Sequence, residues 1–545
     1  MPPPIAPTTA PLPTPGGRLI AVGKITTLQP LIAAAPVTAS SADVLATALL
    51  YERLIRVDPR TSEPEPGLAA WEIGADGRTY TWRIPPNASW TDGKPVVAAD
   101  IVTGLQAVAK SKIAARLVTI FAEIEGFRAY AQGSATTIAG VRLDPSDPKR
   151  LTVRLERSLC PSLVNVFGSV VVLPTHVFGK YLVPDAADAI DRAPENDEPR
   201  VTSGPFVLGE WRRGDQLSLV RNTSYWRGAP LLDGFIFREG GALVDELRKG
   251  TVNFGGVTEP IEIAGAITTY RTRTSASTYQ FIGWNTQSES APALRDKRVR
   301  QALAYGLDWE LLFRDVVKDG TRVFTHHLPA SWAHPSGLNE YRYDRTRAEG
   351  LLASAGYVKG ADGIARKDGR ALAITITTND NAMRKSIVQL AVTQYADLGI
   401  TVTPRIIDFA ALVTALQKGD SSIDAWVAGL SHGDDPDPFV LWHSSLQADP
   451  AIGRRHPVGQ MPFFAPGLDE AIEQARNGPD CSLTRRKEHY ATFDRILNEE
   501  QPFAFGFTRA KLDAGPVGLN EFVSASTNLA AGYDIHRWWI APGSK

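Results

Sequence analysis

Residues 371–429 read ALAITITTNDNAMRKSIVQLAVTQYADLGITVTPRIIDFAALVTALQKGDSSIDAWVAG, and this stretch decides the fold. Apolar alternation from Ala371 to Thr377 marks a strand, and a helical pattern from Ala382 to Leu398 stops at Gly399. A strand from Ile400 to Ile407 and a helix from Phe409 to Lys418, stopped by Gly419, repeat the order. A last strand, Ile423 to Gly429, closes it. The order β-α-β-α-β predicts an α/β fold whose sheets are mixed and mainly parallel, with helices on their faces. Ligands of such sheets bind outside the carboxyl ends of the strands. Those ends are Thr378–Asn381 and Leu430–Asp434, so Asn379, Asp380, Ser431, His432, Gly433 and Asp434 are candidate ligand-binding residues.

Outward from this stretch, Leu19–Val22 reads as a strand and Ala42–Leu54 as a helix. Trp71–Ile73 and Tyr80–Ile84 read as a hairpin joined through Asp76-Gly77. A helix begins near Asp100, Leu151–Leu155 is a strand, and Pro184–Pro199 is a surface loop. A chain of 545 residues holds about three or four units and needs no metal or disulfide staple. Its 58 basic and 59 acidic residues leave a net charge of −1, so no global field recruits nucleic acid or an anionic membrane. No run approaches the roughly 20 apolar residues of a membrane span. Residues 1–17, rich in Pro, Thr and Ala, read as an extended tether without signal-peptide regions.

Several motifs carry competing chemistry. Gly429-Leu-Ser431-His-Gly433 matches the G-x-S-x-G elbow of serine hydrolases, and Asp494 and His536 follow in the expected order. The elbow needs a helix directly after it, whereas Pro436 and Pro438 stand there, so this reading is the alternative. His326-His327, with His334 nearby, suggests a metal at first sight. Adjacent histidines on an extended segment point to opposite sides, so a loop is expected instead. No metal and no cofactor is expected. Among the 12 tryptophans, Trp284, Trp426 and Trp442 border expected loops or crossovers; Trp284 and Trp442 join the candidate ligand contacts.

Several blocks then occur in a fixed order. Pro66-Gly-Leu-Ala-Ala-Trp71 with Asp76-Gly-Arg-Thr-Tyr-Thr-Trp-Arg-Ile84 leads, followed by Trp90-Thr-Asp-Gly-Lys-Pro95 with Ala99-Asp100. Ser203-Gly-Pro-Phe206, Arg221-Asn-Thr-Ser-Tyr-Trp226, Asn285, Val299 to Asp308 and Asp435-Pro-Asp-Pro-Phe439 come after. Together they resemble the extracellular solute-binding proteins of family 5, the dipeptide, oligopeptide and nickel binders that feed ABC importers.

The resemblance implies a periplasmic-binding-protein-like fold, two lobes that close on a ligand, and an extra domain. Its expected layout is lobe I at 18–50, 200–280 and 505–545, the extra domain at 51–199 and lobe II at 281–504. Chain crossings are expected near Tyr279–Trp284 and Glu500–Phe507. Cys160 would then lie in the extra domain and Cys481 in lobe II, so both are expected to be unpaired.

The family's dipeptide and oligopeptide binders carry an Asp four residues before the loop proline, where this chain has His432; Asp434 could substitute. The Arg that dipeptide binders place after the earlier strand is matched here by Thr378–Asn381. The expected function is a non-enzymatic, extracytoplasmic receptor. It would bind a peptide-like or other sizeable polar solute and deliver it to an ABC permease. A monomer is expected, periplasmic or extracellular, held at the membrane by a removed signal or lipid anchor, with no nucleic-acid partner.

Overall fold

The computed structural model describes residues 12–33, 40–182, 188–257, 270–275, 278–317, 320–449, 453–457, 462–509, 511–525 and 529–543. Most of the expected tether, residues 1–11, lies outside them, as does part of the expected surface loop at 183–187. The chain divides into two units: one formed by 1–158, 162–275 and 511–545, the other by 159–161 and 276–510. The stretches 279–284 and 503–507, where crossings were expected, are strands inside the second unit.

The first unit contains two four-stranded sheets. In one, Arg18–Val22 pairs in parallel with Gly234–Arg238, and Gln216–Arg221 and Phe206–Arg212 follow antiparallel. In the other, Ala70–Ile73, Thr79–Arg83, Arg150–Arg154 and Val141–Leu143 are all antiparallel. The hairpin turn forms because the Asp76 carboxylate accepts from the amides of Arg78 and Thr79 while Gly77 takes φ 66°. Helix Ala98–Lys110 follows, and its Asp100 is buried. Asp100 accepts four hydrogen bonds, from Trp90 Nε1 and Val97 N at 2.9 Å, Thr175 N at 2.8 Å and Thr175 Oγ1 at 2.7 Å. The Trp90 to Asp100 block is therefore framework.

The second unit is built on a six-stranded sheet ordered Gly320–Arg322, Phe503–Arg509, Thr278–Trp284, Ala425–Ser431, Ala373–Thr378, Thr401–Ile406. Ala373–Thr378 is parallel to both Thr401–Ile406 and Ala425–Ser431, so the crossover order read from the sequence is present. The remaining ladders of this sheet are antiparallel. The mainly parallel character expected from 371–429 thus stops at the strands of that stretch. The flanking strands arrive from distant segments, with no helical crossover to turn them parallel.

Helix Ala382–Asp397 is capped by Asn381, whose side chain accepts from Arg384 N, and helix Phe409–Lys418 by Asp408. Gly399 at φ 81° and Gly419 at φ 66° end the two helices.

The cysteine expectation is overturned: Cys160 and Cys481 form a disulfide with Cα atoms 5.0 Å apart. Residues 159–161 belong to the second unit, where Leu159 bridges Asn477 and Cys160 N donates to Arg476 O at 2.8 Å. Sequence position places Cys160 among first-unit segments, and a three-residue excursion carries no periodic signal that would reveal it.

Candidate functional site

Three parallel strands end at Thr378, Ile406 and Ser431, and the residues just beyond them share one edge of the second unit. Thr278 starts the antiparallel neighbour beside that edge, opposite Ser431, and the two hydroxyls lie 2.8 Å apart. No helix follows Ser431 directly; the next one is Phe439–Trp442. The Ser431 hydroxyl therefore has a threonine hydroxyl as its hydrogen-bonding neighbour, and Asp494 is paired elsewhere, with Thr325 and His327. The elbow geometry that the serine-hydrolase alternative needs is absent.

His432 turns inward. Its ring lies 4.5 Å from that of His326, tilted by 30°, and 5.7 Å from that of Tyr279. Burial, reinforced by His327, pushes the His432 imidazole down to about 3, so it is neutral at physiological pH. His326 is held well below its ordinary value by the same burial, with His432 and His327 adding to it. His327 is fully buried between the Asp494 carboxylate, 2.7 Å from Nδ1, and the Pro436 carbonyl, 2.8 Å from Nε2. It fixes the loop backbone from behind.

The two histidines do not point to opposite sides, because residues 325–327 bend rather than extend, and their rings sit 5.1 Å apart. Among the described residues no group of three or more His, Cys, Asp or Glu could hold a metal.

The acidic residues after Gly433 are drawn into the unit. Asp435 accepts from Arg486 through two bonds, Nη1 to Oδ2 at 2.9 Å and Nη2 to Oδ1 at 2.7 Å. Asp437 faces Arg476 at 3.4 Å, and the Arg476 guanidinium covers the Phe439 ring at 3.8 Å. Both arginines come from one helical pair, Leu468–Arg476 and Leu483–Glu500. Cys481 lies in the connection between these helices, so the disulfide staples the element that holds the loop.

The other sequence candidates divide. Ser431 and Gly433 are exposed and Asp434 is half-buried at the edge. Asn379 is half-buried there, and exposed Asp380 pairs with Lys385 at 2.6 Å. Trp284 and Trp442 are 2% and 0% exposed and sit in the core, with indole N–H groups that have no hydrogen-bond partner among the described residues. Trp426 is likewise core.

Sequence reading missed Gln280, Arg384 and Phe409. Arg384 Nη1 donates to Asn379 Oδ1 at 2.8 Å and Nε to Gln280 Oε1 at 3.2 Å. Its guanidinium lies 5.6 Å from the Phe409 ring centroid, and Phe409 is 50% exposed. Gln280 reaches this position because its cross-strand partner is Gly429, where an added Cβ would meet Gln280 Nε2 at 2.4 Å. The missed signal was positional: Arg384 and Phe409 occupy the first turns of the helices that follow two parallel strands.

The sequence pattern of the bacterial extracellular solute-binding proteins, family 5 (middle region), matches residues 63–449. The oligopeptide-binding protein AppA of Bacillus subtilis is 28% identical over 391 residues, 69% of this chain and 68% of its own length. The dipeptide-binding protein of Escherichia coli is 22% identical over 468 residues, 83% of this chain and 82% of its own. The solved structure of the periplasmic murein tripeptide-binding protein MppA, in its unliganded open form, is similar in fold. Its TM-score is 0.75 at 20% identity, covering 96% of this chain and 97% of that one.

Proposed function

The chain belongs to the bacterial extracellular solute-binding proteins of family 5, and on that footing we propose that it takes its solute at the second-unit edge formed by Asn379, Ser431, His432, Gly433 and Asp434. It is the receptor component of an ABC importer, binding solute outside the cytoplasm and delivering it to the permease. The solute class proposed is a peptide or a similarly sized polar molecule, as the names of the relatives suggest. No helix among the described residues is long and apolar enough to cross a membrane. A lipid anchor, a monomeric state and a separate extra domain at 51–199 are parts of the same proposal.

One observation carries the choice of binding over chemistry at this edge. The exposed hydroxyl of Ser431 is set against Thr278, and the loop behind it is fixed by His327, Arg486 and Arg476. That arrangement presents a rigid polar surface without a nucleophile and base in contact. Native mass spectrometry of protein purified from its host is expected to show a co-purified solute. His432→Ala and Asp434→Ala are each expected to weaken its binding by about 1–3 kcal/mol. A fluorophosphonate probe is expected to leave Ser431 unlabelled; stoichiometric labelling would restore the hydrolase alternative.

A further inference from the structure

A second concentration of buried charge lies wholly within the first unit. A partly open cavity of about 70 Å³ forms where the chain leaves helix Ser41–Leu50 and meets residues 225–227 and 529–536. Glu52, Arg56, Arg227 and Asp534 line it, together with Tyr225 and His536. Arg56 is committed to two carboxylates, Asp534 at 2.5 Å and Glu65 at 3.0 Å. Glu52 and Arg227 have no such partner. Among the described residues the Glu52 carboxylate accepts only from the Tyr225 hydroxyl, and Arg227 donates only to the carbonyls of Pro66 and Gly67, at 2.8 and 2.5 Å. No oppositely charged group of those residues lies within 4.0 Å of either. Burial holds the Glu52 carboxyl above its ordinary range, and Arg227, the Tyr225 bond and Arg56 pull it partly back. Burial also lowers His536 to about 4, so its ring adds no charge at physiological pH. A carboxylate and a guanidinium therefore border one space without touching, and forgo the contact that would offset their desolvation.

We infer that this cavity binds a small zwitterion, an α-amino acid of glycine's size, with its ammonium on Glu52 and its carboxylate on Arg227. Tyr225 occupies Glu52 Oε1 and leaves Oε2 as the acceptor. The Pro66 and Gly67 carbonyls anchor Arg227 Nη2, so the guanidinium is fixed before a guest arrives, and Nε and Nη1 are left to donate. Size agrees with charge. One water takes about 10–15 Å³ of such space, so 70 Å³ holds about five heavy atoms, the number in glycine. A simple anion or cation would satisfy one wall and leave the other unpaired. A metal ion finds no ligand set, since among the described residues no group of three His, Cys, Asp or Glu could hold one. The His536 carbonyl accepts from Leu231 N at 3.1 Å, just before strand Gly234–Arg238 begins beside Arg18–Val22. The cavity is thus toward the amino ends of that parallel pair, not at the carboxyl ends where such sheets take their ligands.

The probe is glycine, with methylammonium and acetate as its two halves, titrated calorimetrically into the full chain. Prior unfolding in urea, dialysis and refolding strip any amino acid carried through purification. Glycine is expected to bind about 10-fold or more tighter than either half. Glu52→Gln, which keeps an acceptor for Tyr225 and loses the charge, and Arg227→Gln are each expected to weaken glycine about 10- to 100-fold. Asp434→Ala, at the second-unit edge, is expected to leave glycine affinity within about twofold. A wild-type chain that takes no glycine, or that binds acetate or methylammonium as tightly, overturns the inference. So does glycine binding that Asp434→Ala abolishes and Glu52→Gln preserves, since glycine would then sit at the solute edge. Full affinity in both Glu52→Gln and Arg227→Gln overturns it as well. Should Arg227→Gln melt far below the wild type, Glu52→Gln decides alone, and undiminished affinity there overturns the site.

Discussion

The Trp90 to Asp100 block of the first unit and the Ser431 to Phe439 block of the second use acidic residues in the same way and present opposite faces. Asp100 is wholly occupied by Trp90, Val97 and Thr175. Asp435 and Asp437 are likewise occupied by arginines from behind. The first block ends in the buried Asp100 carboxylate, whereas beside the second the strand ends leave Ser431, Asn379 and Arg384 at an edge. Blocks that are easy to recognise in sequence are those whose side chains bond to each other, because each partner restricts the other. Asn222 of one block donates to the Gly204 carbonyl of another at 2.9 Å, and Asn285 donates to Ile423 O at 2.7 Å. At the edge the pairing is sparser, with Ser431 against Thr278 and Arg384 against Asn379 and Gln280, and it leaves a weaker trace in the sequence.

That contrast can be broken experimentally. The largest effect is expected from Asp100→Ala, which strands four donors in the core and should cost about 3–5 kcal/mol in urea denaturation. Solute affinity of the folded fraction should not change; a loss of affinity at constant stability would show that the Trp90 block is not pure framework.

Next comes the double variant Cys160→Ser, Cys481→Ser, expected to cost about 2–4 kcal/mol. Because the disulfide staples the helical pair that carries Arg476 and Arg486, hydrogen exchange is expected to rise first at 435–442. Thiol titration in denaturant without reductant should find no free thiol in the wild type.

A third test uses pH. An unfolded histidine takes a proton below about 6.5, and folded His432 resists it down to about 3. The unfolded state therefore binds more protons in that window, and stability falls as pH falls from about 6.5 toward 3. Between pH 7 and 5 the share of half-buried His432 should be about 1–2 kcal/mol, with His326 adding in the same direction. His432→Phe should flatten the slope by its own share, measured as Tm against pH.

The smallest effect is expected from Ser431→Ala: less than about 0.5 kcal/mol in stability and a modest change in affinity. A large loss of either would move the weight of the edge onto this hydroxyl.

Much of the framework was legible in the sequence. The crossover from Ala373 to Ser431 follows from periodicity and from Gly399 and Gly419, which permit the positive φ that stops each helix. The antiparallel partners of the same sheet were not legible, since Thr278–Trp284 and Phe503–Arg509 are brought together by pairing between segments more than 200 residues apart, which no local pattern encodes. The site was half legible. Strand ends located Asn379 and Ser431, while Trp284 and Trp442, chosen for bordering loops, proved to be core because bulky rings fill the layer under the sheet. Arg384 escaped because an arginine in a helix's first turn reads as an ordinary solvated charge until Gln280 and Asn379 are seen against it. His327 escaped because a histidine pair looks like a loop or a metal site, not like a brace for a neighbouring backbone.

The excursion of residues 159–161 gives the covalent chain an unusual form. The bond between Cys160 and Cys481 closes a ring of chain that runs through 162–275 of the first unit and onward through 276–481 of the second. Within that ring a single cut by a protease opens the loop and releases nothing. The nicked protein would run as one species on a gel without reductant and as two with it, whichever unit was cut. Cuts before residue 160 or after 481 would separate fragments covalently under either condition. Limited proteolysis therefore maps exposed loops of both units onto two classes of product, distinguishable by reductant alone.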